Sequence, residues 1–243
     1  MNAFHLPIAR FRPLVTCLQL FVTLLMIMTL PPYDCHCHIL PGLDDGAEAI
    51  EESVYLAGRL AAYGFRRAVC TSHRTLKYQN TPATVIPACE RLQEALERAG
   101  VDLLLVPSME YRLIPEVWPE ALRRDWLLPW EGNHILVELP IHDKAKIGSI
   151  DPCAEIRSLV RAGYQPVLAH PERYLWATDY DYKALRDSGA AFQRNLGSIE
   201  GFYGMPTAIR ARQLQAQGYY SYLGTDTHNR HYTDFFDSLV TGR

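Results

Sequence analysis

The stretch DCHCH, from Asp34 to His38, gives the first indication of both a fold and a site. In a β-strand, side chains two residues apart point to the same face, so His36 and His38 could bind one metal ion. Cys35 and Cys37, which alternate with these histidines, then point to the opposite face, where we expect helices to cover them as core thiols. A zinc knuckle would need a second pair of soft ligands at short spacing, and none follows.

Six further apolar runs follow this strand and alternate with helical patterns. They end near Thr71, Ser108, Leu139, His170, Leu196 and Gly224. Among the intervening helices, one is predicted over 87–99, with Pro87 in its first turn and Gly100 at its end. Strands separated by helices pair in parallel. Seven such units predict one α/β domain over 33–243, folded as a closed or nearly closed barrel.

Side chains that can bind metals follow the apolar runs at or just beyond their carboxyl ends. They are His73, Glu110, Glu138, His170, Asp226 and His228, and the loop after the first strand adds Asp44 and Asp45. The carboxyl ends of parallel barrel strands share one rim, which is where active sites are built. We therefore expect these side chains to meet the first two histidines in a metal site. Nitrogen and carboxylate ligands without thiolates favour Mn, Zn or Fe.

Each of these residues also has an ordinary structural explanation. A single histidine after a strand is more often a hydrogen-bonded core or rim residue than a ligand. Glu138 alone could cap a helix, and Asp226 alone could begin an Asx turn. The metal site is predicted because the whole set occurs together, at successive strand ends.

The motifs resemble those of the polymerase and histidinol phosphatase (PHP) superfamily. Within it, the chain looks like the bacterial manganese-dependent protein-tyrosine phosphatases encoded with capsule and exopolysaccharide genes. The resemblance runs from about Tyr33 to the C-terminus and rests on DCHCHILPGLDDG (34–46), TSHR (71–74), MEY (109–111), VELP (137–140), AHPERY (169–174), Gln193 to Asn195, GSIEGFYG (197–204) and GTDTHN (224–229).

This resemblance implies a distorted (β/α)7 TIM-like barrel that holds three divalent metal ions, most often Mn²⁺, with Fe or Zn as alternatives. The first ion would be bound by His36, His38, Glu110 and Asp226. Asp45, His73 and His228 would bind the second ion, and Glu138 and His170 the third, with Glu110 bridging it to the first. Arg173 matches the phosphate-contacting arginine and, with Asp45 and His228, is predicted to act in catalysis. A second phosphate-binding arginine of some relatives has no clear match; Arg230 is the nearest substitute.

The implied activity is hydrolysis of phosphotyrosine, on the tail of a bacterial tyrosine kinase that regulates capsular or exopolysaccharide synthesis. Clustered cations would neutralise the phosphate dianion and lower the pKa of a bridging water, whose hydroxide attacks phosphorus. Four aromatic side chains near the mouth are candidates to pack on the substrate ring: Tyr78, Tyr111, Phe202 and Tyr203. Two alternatives remain open, a small-molecule phosphoesterase of the histidinol-phosphatase type and a non-catalytic metal-binding regulatory module.

Composition and the N-terminus limit the remaining possibilities. The net charge of −3, with 24 basic and 27 acidic residues, lacks the basic excess of a nucleic-acid-binding protein. The six cysteines contain no C-x-x-C pair, which favours a reduced, cytoplasmic chain. Residues 1–32 form a separate extension, in which 14–30 is an uncharged run. That run is a membrane anchor, an export signal or a misassigned start, so membrane association is expected only in the first case. The sequence leaves the oligomeric state open, with a monomer and a homo-oligomer as the alternatives.

Overall fold

Seven parallel strands alternate with seven α-helices in the computed structural model, which describes residues 33–241. The strands are β1 (Tyr33–Cys37), β2 (Arg67–Arg74), β3 (Leu104–Arg112), β4 (His134–Glu138), β5 (Gln165–Leu168), β6 (Ala191–Asn195) and β7 (Tyr220–Gly224). The helices are α1 (Ile50–Ala62), α2 (Pro82–Ala99), α3 (Trp118–Arg123), α4 (Pro152–Arg161), α5 (Asp179–Asp187), α6 (Met205–Ala216) and α7 (Arg230–Thr241).

The strands form one sheet in sequence order, β1 to β7, with every neighbouring pair parallel. The sheet curls until β1 meets the segment after β7, where Cys37 and Thr227 form a parallel bridge. Asp34 fastens this junction, since its buried carboxylate accepts hydrogen bonds from the Thr225 amide at 2.8 Å and the Thr225 hydroxyl at 2.6 Å. The predicted barrel is thus confirmed, as a nearly closed one.

Helix α2 begins five residues before the predicted start. Thr81 and Thr84 form a capping box, and Pro82 takes the first helical position, where a missing N–H costs nothing. The prediction that Pro87 lies in the first turn was wrong, because this proline lies inside the helix. Gly100 ends α2 as predicted, with a left-handed backbone (φ 68°) that glycine adopts without strain.

Strands β2 and β3 extend beyond their predicted ends, to Arg74 and Arg112. Their polar last residues continue the parallel pairing, with His73 opposite Glu110 and Arg112 opposite Glu138. Two apolar clusters lie below these ends. The larger packs helices against the sheet, and the smaller lies within the barrel, formed by Val69, Trp130, Leu136, Val167 and Ala169. The carboxyl-end rim is left to polar side chains.

The predicted core thiols are buried, because Cys35 and Cys37 are both 0% exposed. Within residues 33–241, no helix is long and apolar enough to cross a membrane. The alternatives for the run 14–30, and the extension 1–32 as a whole, lie outside the described residues and stay predictions.

Candidate metal centre

Imidazole and carboxylate side chains converge at the carboxyl end of the barrel. All nine predicted ligand residues lie there: His36, His38, Asp45, His73, Glu110, Glu138, His170, Asp226 and His228. Asp45 is the most exposed, with 55% of its side chain accessible, whereas Glu110 is fully buried at the centre. The convergence follows from the parallel sheet, which brings the last residues of successive strands to one rim.

The tightest group contains four atoms, from β1, the residue directly after it, β3 and the segment after β7. The Nε2 atoms of His36 and His38 lie 3.0 Å apart. Each lies 3.5 Å from Glu110 Oε2, and they lie 3.4 and 3.6 Å from Asp226 Oδ1. Ligands bound about 2.1 Å from one cation are separated by about 3.0–3.4 Å, so this spacing suits a common ion.

Two further groups flank the first. His73 Nε2 and His228 Nε2 lie 3.4 and 3.8 Å from Asp45 Oδ1. On the other side, His170 Nε2 lies 3.1 Å from Glu110 Oε1 and 3.7 Å from Glu138 Oε1. Glu110 therefore presents one oxygen to the first group and the other to His170. The structure also groups His38 with His73 and His228, and His73 with Glu110 and Glu138. The assignment of these ligands to three separate ions therefore stays a prediction.

The donor chemistry fits divalent cations. Glu110 Oε2 is buried 2.9 Å from His73 Nδ1, yet neither atom makes a hydrogen bond of good geometry. Buried polar atoms without partners are costly in a folded protein. Their enclosure among imidazoles is explained if cations, rather than hydrogen bonds, satisfy these lone pairs.

The charges of the site shift its pKa values strongly. Burial opposes ionisation of Glu110 and Asp226, but the surrounding histidines outweigh it and lower the pKa of both carboxyls. Burial likewise lowers the pKa of His36, yet Glu110 and Asp226 raise it overall. His228 differs, since burial and the neighbouring His38 lower its pKa to about 4. Protons therefore compete with cations for this site.

Two residues outside the three expected ligand sets orient the histidines. The Asp44 carboxylate accepts a hydrogen bond from His38 Nδ1 at 2.9 Å. Gln193 Oε1 does the same for His36 Nδ1, also at 2.9 Å. Because each Nδ1 is engaged, each Nε2 is left to face the centre, the usual arrangement around metal-binding histidines. The sequence did contain a signal for Gln193, which alternates with Asn195 on β6 as His36 does with His38.

The backbone is strained where the rim turns inward. His170 and Asp226 adopt left-handed conformations, with φ of 30° and 56°. Such conformations are uncommon for residues other than glycine and concentrate at functional sites. Asn195 Nδ2 and Tyr203 Oη both donate to Asp226 Oδ2, at 2.7 and 2.9 Å. These bonds hold the second oxygen of Asp226 away from the histidines.

A cavity of about 370 Å³ opens over the centre, and two arginines line it. Arg173 was predicted there. Its Nη1 lies 3.1 Å from Asp226 Oδ2 and its guanidinium lies 4.6 Å from the Tyr203 ring. Arg112 is the second arginine in the wall. Arg230, the predicted substitute, is not among the lining residues of the described chain; its guanidinium lies over the ring of Tyr55 at 4.0 Å.

The candidate aromatic residues occupy different environments. Tyr78 lies at the rim with its ring parallel to His73, 6.0 Å between centroids. Tyr111 is fully buried and bonds to the Trp126 carbonyl, so its predicted place at the mouth was wrong. Phe202 packs against Tyr203 at 4.9 Å. The aromatic residue that does line the cavity is Tyr232, which stacks on His228 at 5.3 Å.

Comparison with known proteins places this geometry among characterised relatives. The family described as "Capsular polysaccharide synthesis, CpsB/CapC" matches residues 32–233. The tyrosine-protein phosphatase YwqE of Bacillus subtilis is 30% identical over 199 residues, covering 81% of this chain and 77% of that protein. The tyrosine-protein phosphatase CpsB of Streptococcus pneumoniae is 24% identical over 204 residues, covering 81% and 82%.

Two solved structures are also similar to this chain. Crystal structures of YwqE and CpsB, described as unique metal-dependent tyrosine phosphatases, include a chain with a TM-score of 0.75 at 28% identity, covering 86% of this chain and 84% of that one. Histidinol phosphate phosphatase of Lactococcus lactis, in complex with zinc, L-histidinol and phosphate, has a TM-score of 0.50 at 15% identity, covering 86% and 92%. That second likeness extends to the fold alone.

Proposed function

The chain belongs to the CpsB/CapC family of capsular polysaccharide synthesis, and from this membership we propose that it dephosphorylates a bacterial tyrosine kinase. It is a metal-dependent tyrosine phosphatase with the barrel of its relatives. We place its substrate in the phosphotyrosine tail of a kinase that regulates capsular or exopolysaccharide synthesis. The observation that supports this proposal is one cavity whose lining places Arg173, a phosphate-binding type of side chain, beside six of the nine predicted metal ligands. The other three, His36, His38 and Glu110, are grouped with members of these six.

The proposed cofactor is a set of three divalent ions, with Mn²⁺ as the proposed metal, held by the three groups of ligands. Nitrogen and oxygen donors without thiolates support Mn, Fe or Zn over softer ions. Ions bound there would neutralise a phosphate dianion and lower the pKa of a water molecule. His228 is suited to hold one of them, because its low pKa keeps it neutral near pH 7 and its Nδ1 contacts the Asp226 carbonyl oxygen at 2.8 Å.

Arg173 and Tyr232 are the proposed contacts for the two halves of phosphotyrosine. The guanidinium of Arg173 has the planar shape that binds two phosphate oxygens and would stabilise their charge in the transition state. Tyr232 exposes its ring in the same cavity and offers a surface for the aryl group. No cysteine lines the cavity within the described chain, so the site lacks the nucleophile of thiol-based tyrosine phosphatases.

We further propose that the protein acts in the cytoplasm. Five described cysteines, Cys35, Cys37, Cys70, Cys89 and Cys153, are free thiols. Unpaired thiols are typical of a reducing compartment. An acidic site filled with cations also suits a phosphorylated peptide, whereas the net charge of −3 gives no general attraction for nucleic acids.

The test is a substrate panel on Mn-loaded protein, joined to a metal count. We expect release of phosphate from a phosphotyrosine peptide and from p-nitrophenyl phosphate, loss of activity on chelation, and recovery when Mn²⁺ is returned. The variant Asp226→Asn removes a central carboxylate and should abolish turnover. Asp102→Asn is its matched control, because that side chain is 93% exposed and lies far from the cavity lining.

Other outcomes would change the assignment. Turnover of histidinol phosphate equal to or faster than that of the peptide would favour the small-molecule phosphoesterase. Bound metal without turnover of any phosphomonoester would favour the regulatory module. A phosphorylated cysteine trapped during turnover would contradict the metal-dependent chemistry.

A further inference from the structure

The cavity contains a second arginine that neither the strand-end pattern nor the family resemblance selected. Arg112 is the last residue of β3, two positions after Glu110, so both side chains point to the inner face of the barrel. About a third of its side chain is exposed (31%), compared with 21% for Arg173. Arg112 and Arg173 are the two cationic side chains, other than histidines, in the described lining of the cavity.

Glu138 holds Arg112 from the neighbouring strand. Arg112 Nε donates to Glu138 Oε2 at 2.7 Å, and Nη2 lies 2.5 Å from the same oxygen. These contacts engage one side of the guanidinium and fix its plane. The described contacts leave Nη1 with its two N–H groups for another acceptor. Glu138 Oε1 remains directed toward His170, 3.7 Å away.

A phosphate dianion needs such a donor in this cavity. The wall contains the carboxylates of Asp45, Glu138 and Asp226, which would repel it. Arg173 already spends an N–H on Asp226. The residue expected to assist Arg173, Arg230, lies over Tyr55 outside the lining.

We propose that Arg112 is a substrate-binding residue, whose Nη1 donates to a phosphoryl oxygen in partnership with Arg173. This assignment rests on the proposed phosphatase function and replaces Arg230 as the second phosphate-contacting arginine. It also links substrate binding to the metal centre, because the guanidinium that contacts phosphate is held by the predicted ligand Glu138.

The competing role is a clamp that merely positions Glu138. A clamp would affect metal binding, and a substrate contact would affect phosphate binding. The experiment therefore measures both in the Mn-loaded protein: the metal-to-protein ratio, and the dissociation constant of inorganic phosphate by calorimetry. The KM and kcat for p-nitrophenyl phosphate are measured in parallel.

The variants are Arg112→Gln and Arg112→Lys, with Arg98→Gln as a matched control on the exposed face of α2 (70% exposed). We expect Arg112→Gln to weaken phosphate binding and raise KM by about tenfold or more, with a smaller change in kcat and an unchanged metal ratio. Arg112→Lys should recover part of the affinity, because it keeps the charge but loses the fork. Arg98→Gln should match the wild type.

Three results would overturn the inference. They are unchanged phosphate affinity in Arg112→Gln, metal loss that accounts for the weaker phosphate binding, and a larger loss of affinity in Arg230→Gln than in Arg112→Gln. Failure of the phosphatase proposal is distinguishable. If the phosphatase proposal fails, the wild type would leave a phosphotyrosine peptide intact, while Arg112→Gln would still bind inorganic phosphate more weakly than the wild type does.

Discussion

Replacing Asp44 with asparagine tests whether an indirect contact sets the metal affinity of the centre. The Asp44 side chain is fully buried and accepts three hydrogen bonds. Its Oδ2 receives them from His38 Nδ1 and the His73 amide, both at 2.9 Å, and its Oδ1 receives one from the Gly46 amide at 3.0 Å. Burial raises its pKa, but His38 and His73 outweigh this and lower the pKa of the carboxyl below its usual value.

The expected loss follows from these three bonds. Asparagine offers one acceptor oxygen and an NH₂ group, so at least one of the three donors would face another donor. A hydrogen bond to a charged group contributes about 1.5–3 kcal/mol. Loss of a carboxylate behind a metal-binding histidine weakens metal affinity by about 10–100-fold, equivalent to about 1.4–2.7 kcal/mol. Both estimates predict that Asp44→Asn binds metal more weakly, and that an excess of metal still fills its site.

The assay is a Mn²⁺ titration against a competing chelator, with metal content at saturation. Asp44→Asn should bind the wild-type number of ions with about 10–100-fold lower affinity. The adjacent variant Asp45→Asn should instead lower the number of ions, because Asp45 is itself a predicted ligand. Asp102→Asn should behave as wild type. An Asp44→Asn protein with wild-type affinity would refute the proposed orientation of His38.

Three further predictions concern the fold. Gly224→Ala places a Cβ 2.5 Å from the Cβ of His36 and should lower both stability and metal content. Gly58→Ala, within α1, brings its Cβ only into ordinary contact with Val101 Cγ2 at 4.0 Å and should stabilise by about 0.5–1 kcal/mol in urea unfolding; equal effects of the two variants would contradict this. Asp34→Ala should lower the free energy of unfolding by about 3 kcal/mol and Tm by about 6–12 °C, with a smaller loss for Asp34→Asn. A Tm within about 2 °C of wild type, equivalent to about 0.5–1 kcal/mol, would refute the closure by this side chain. His134 has a pKa lowered by burial, so its contribution to stability is present above about pH 6.5 and is lost as pH falls through its folded pKa. A His134 pKa at or above about 6.5, measured by NMR titration, would exclude this.

The barrel was predictable because its signals are local and repeated. Each strand is a short apolar run, and each is followed by a helix pattern and a stop. The misplaced start of α2 shows the limit of such signals, since Pro87 has the same preference as Pro82 and only the Thr81 capping box separates them. The extra length of β2 and β3 was missed because their last residues are polar, and their pairing depends on neighbours that are distant in sequence.

The predicted ligands converge because a parallel barrel gathers strand ends, so position at a strand end was sufficient information. Position at a strand end did not predict which residues orient these ligands. Gln193 contacts His36 across 157 positions of sequence, and no spacing rule connects them. Tyr111 was misplaced because its neighbour Glu110 points inward, which turns the tyrosine to the helix-covered side. The same alternation points Arg112 into the cavity, but arginine does not bind metals, so a pattern of metal ligands does not include it.

The closure of the barrel between β1 and the segment after β7 also sets an order of events during synthesis. The four atoms of the tightest group come from residues 36, 38, 110 and 226, so this group is incomplete until nearly the whole barrel has left the ribosome. A nascent or prematurely terminated chain that ends before residue 226 therefore has the first two histidines but not the carboxylate that completes their set. A cation that needs all four atoms could bind this group only after residue 226 has been translated.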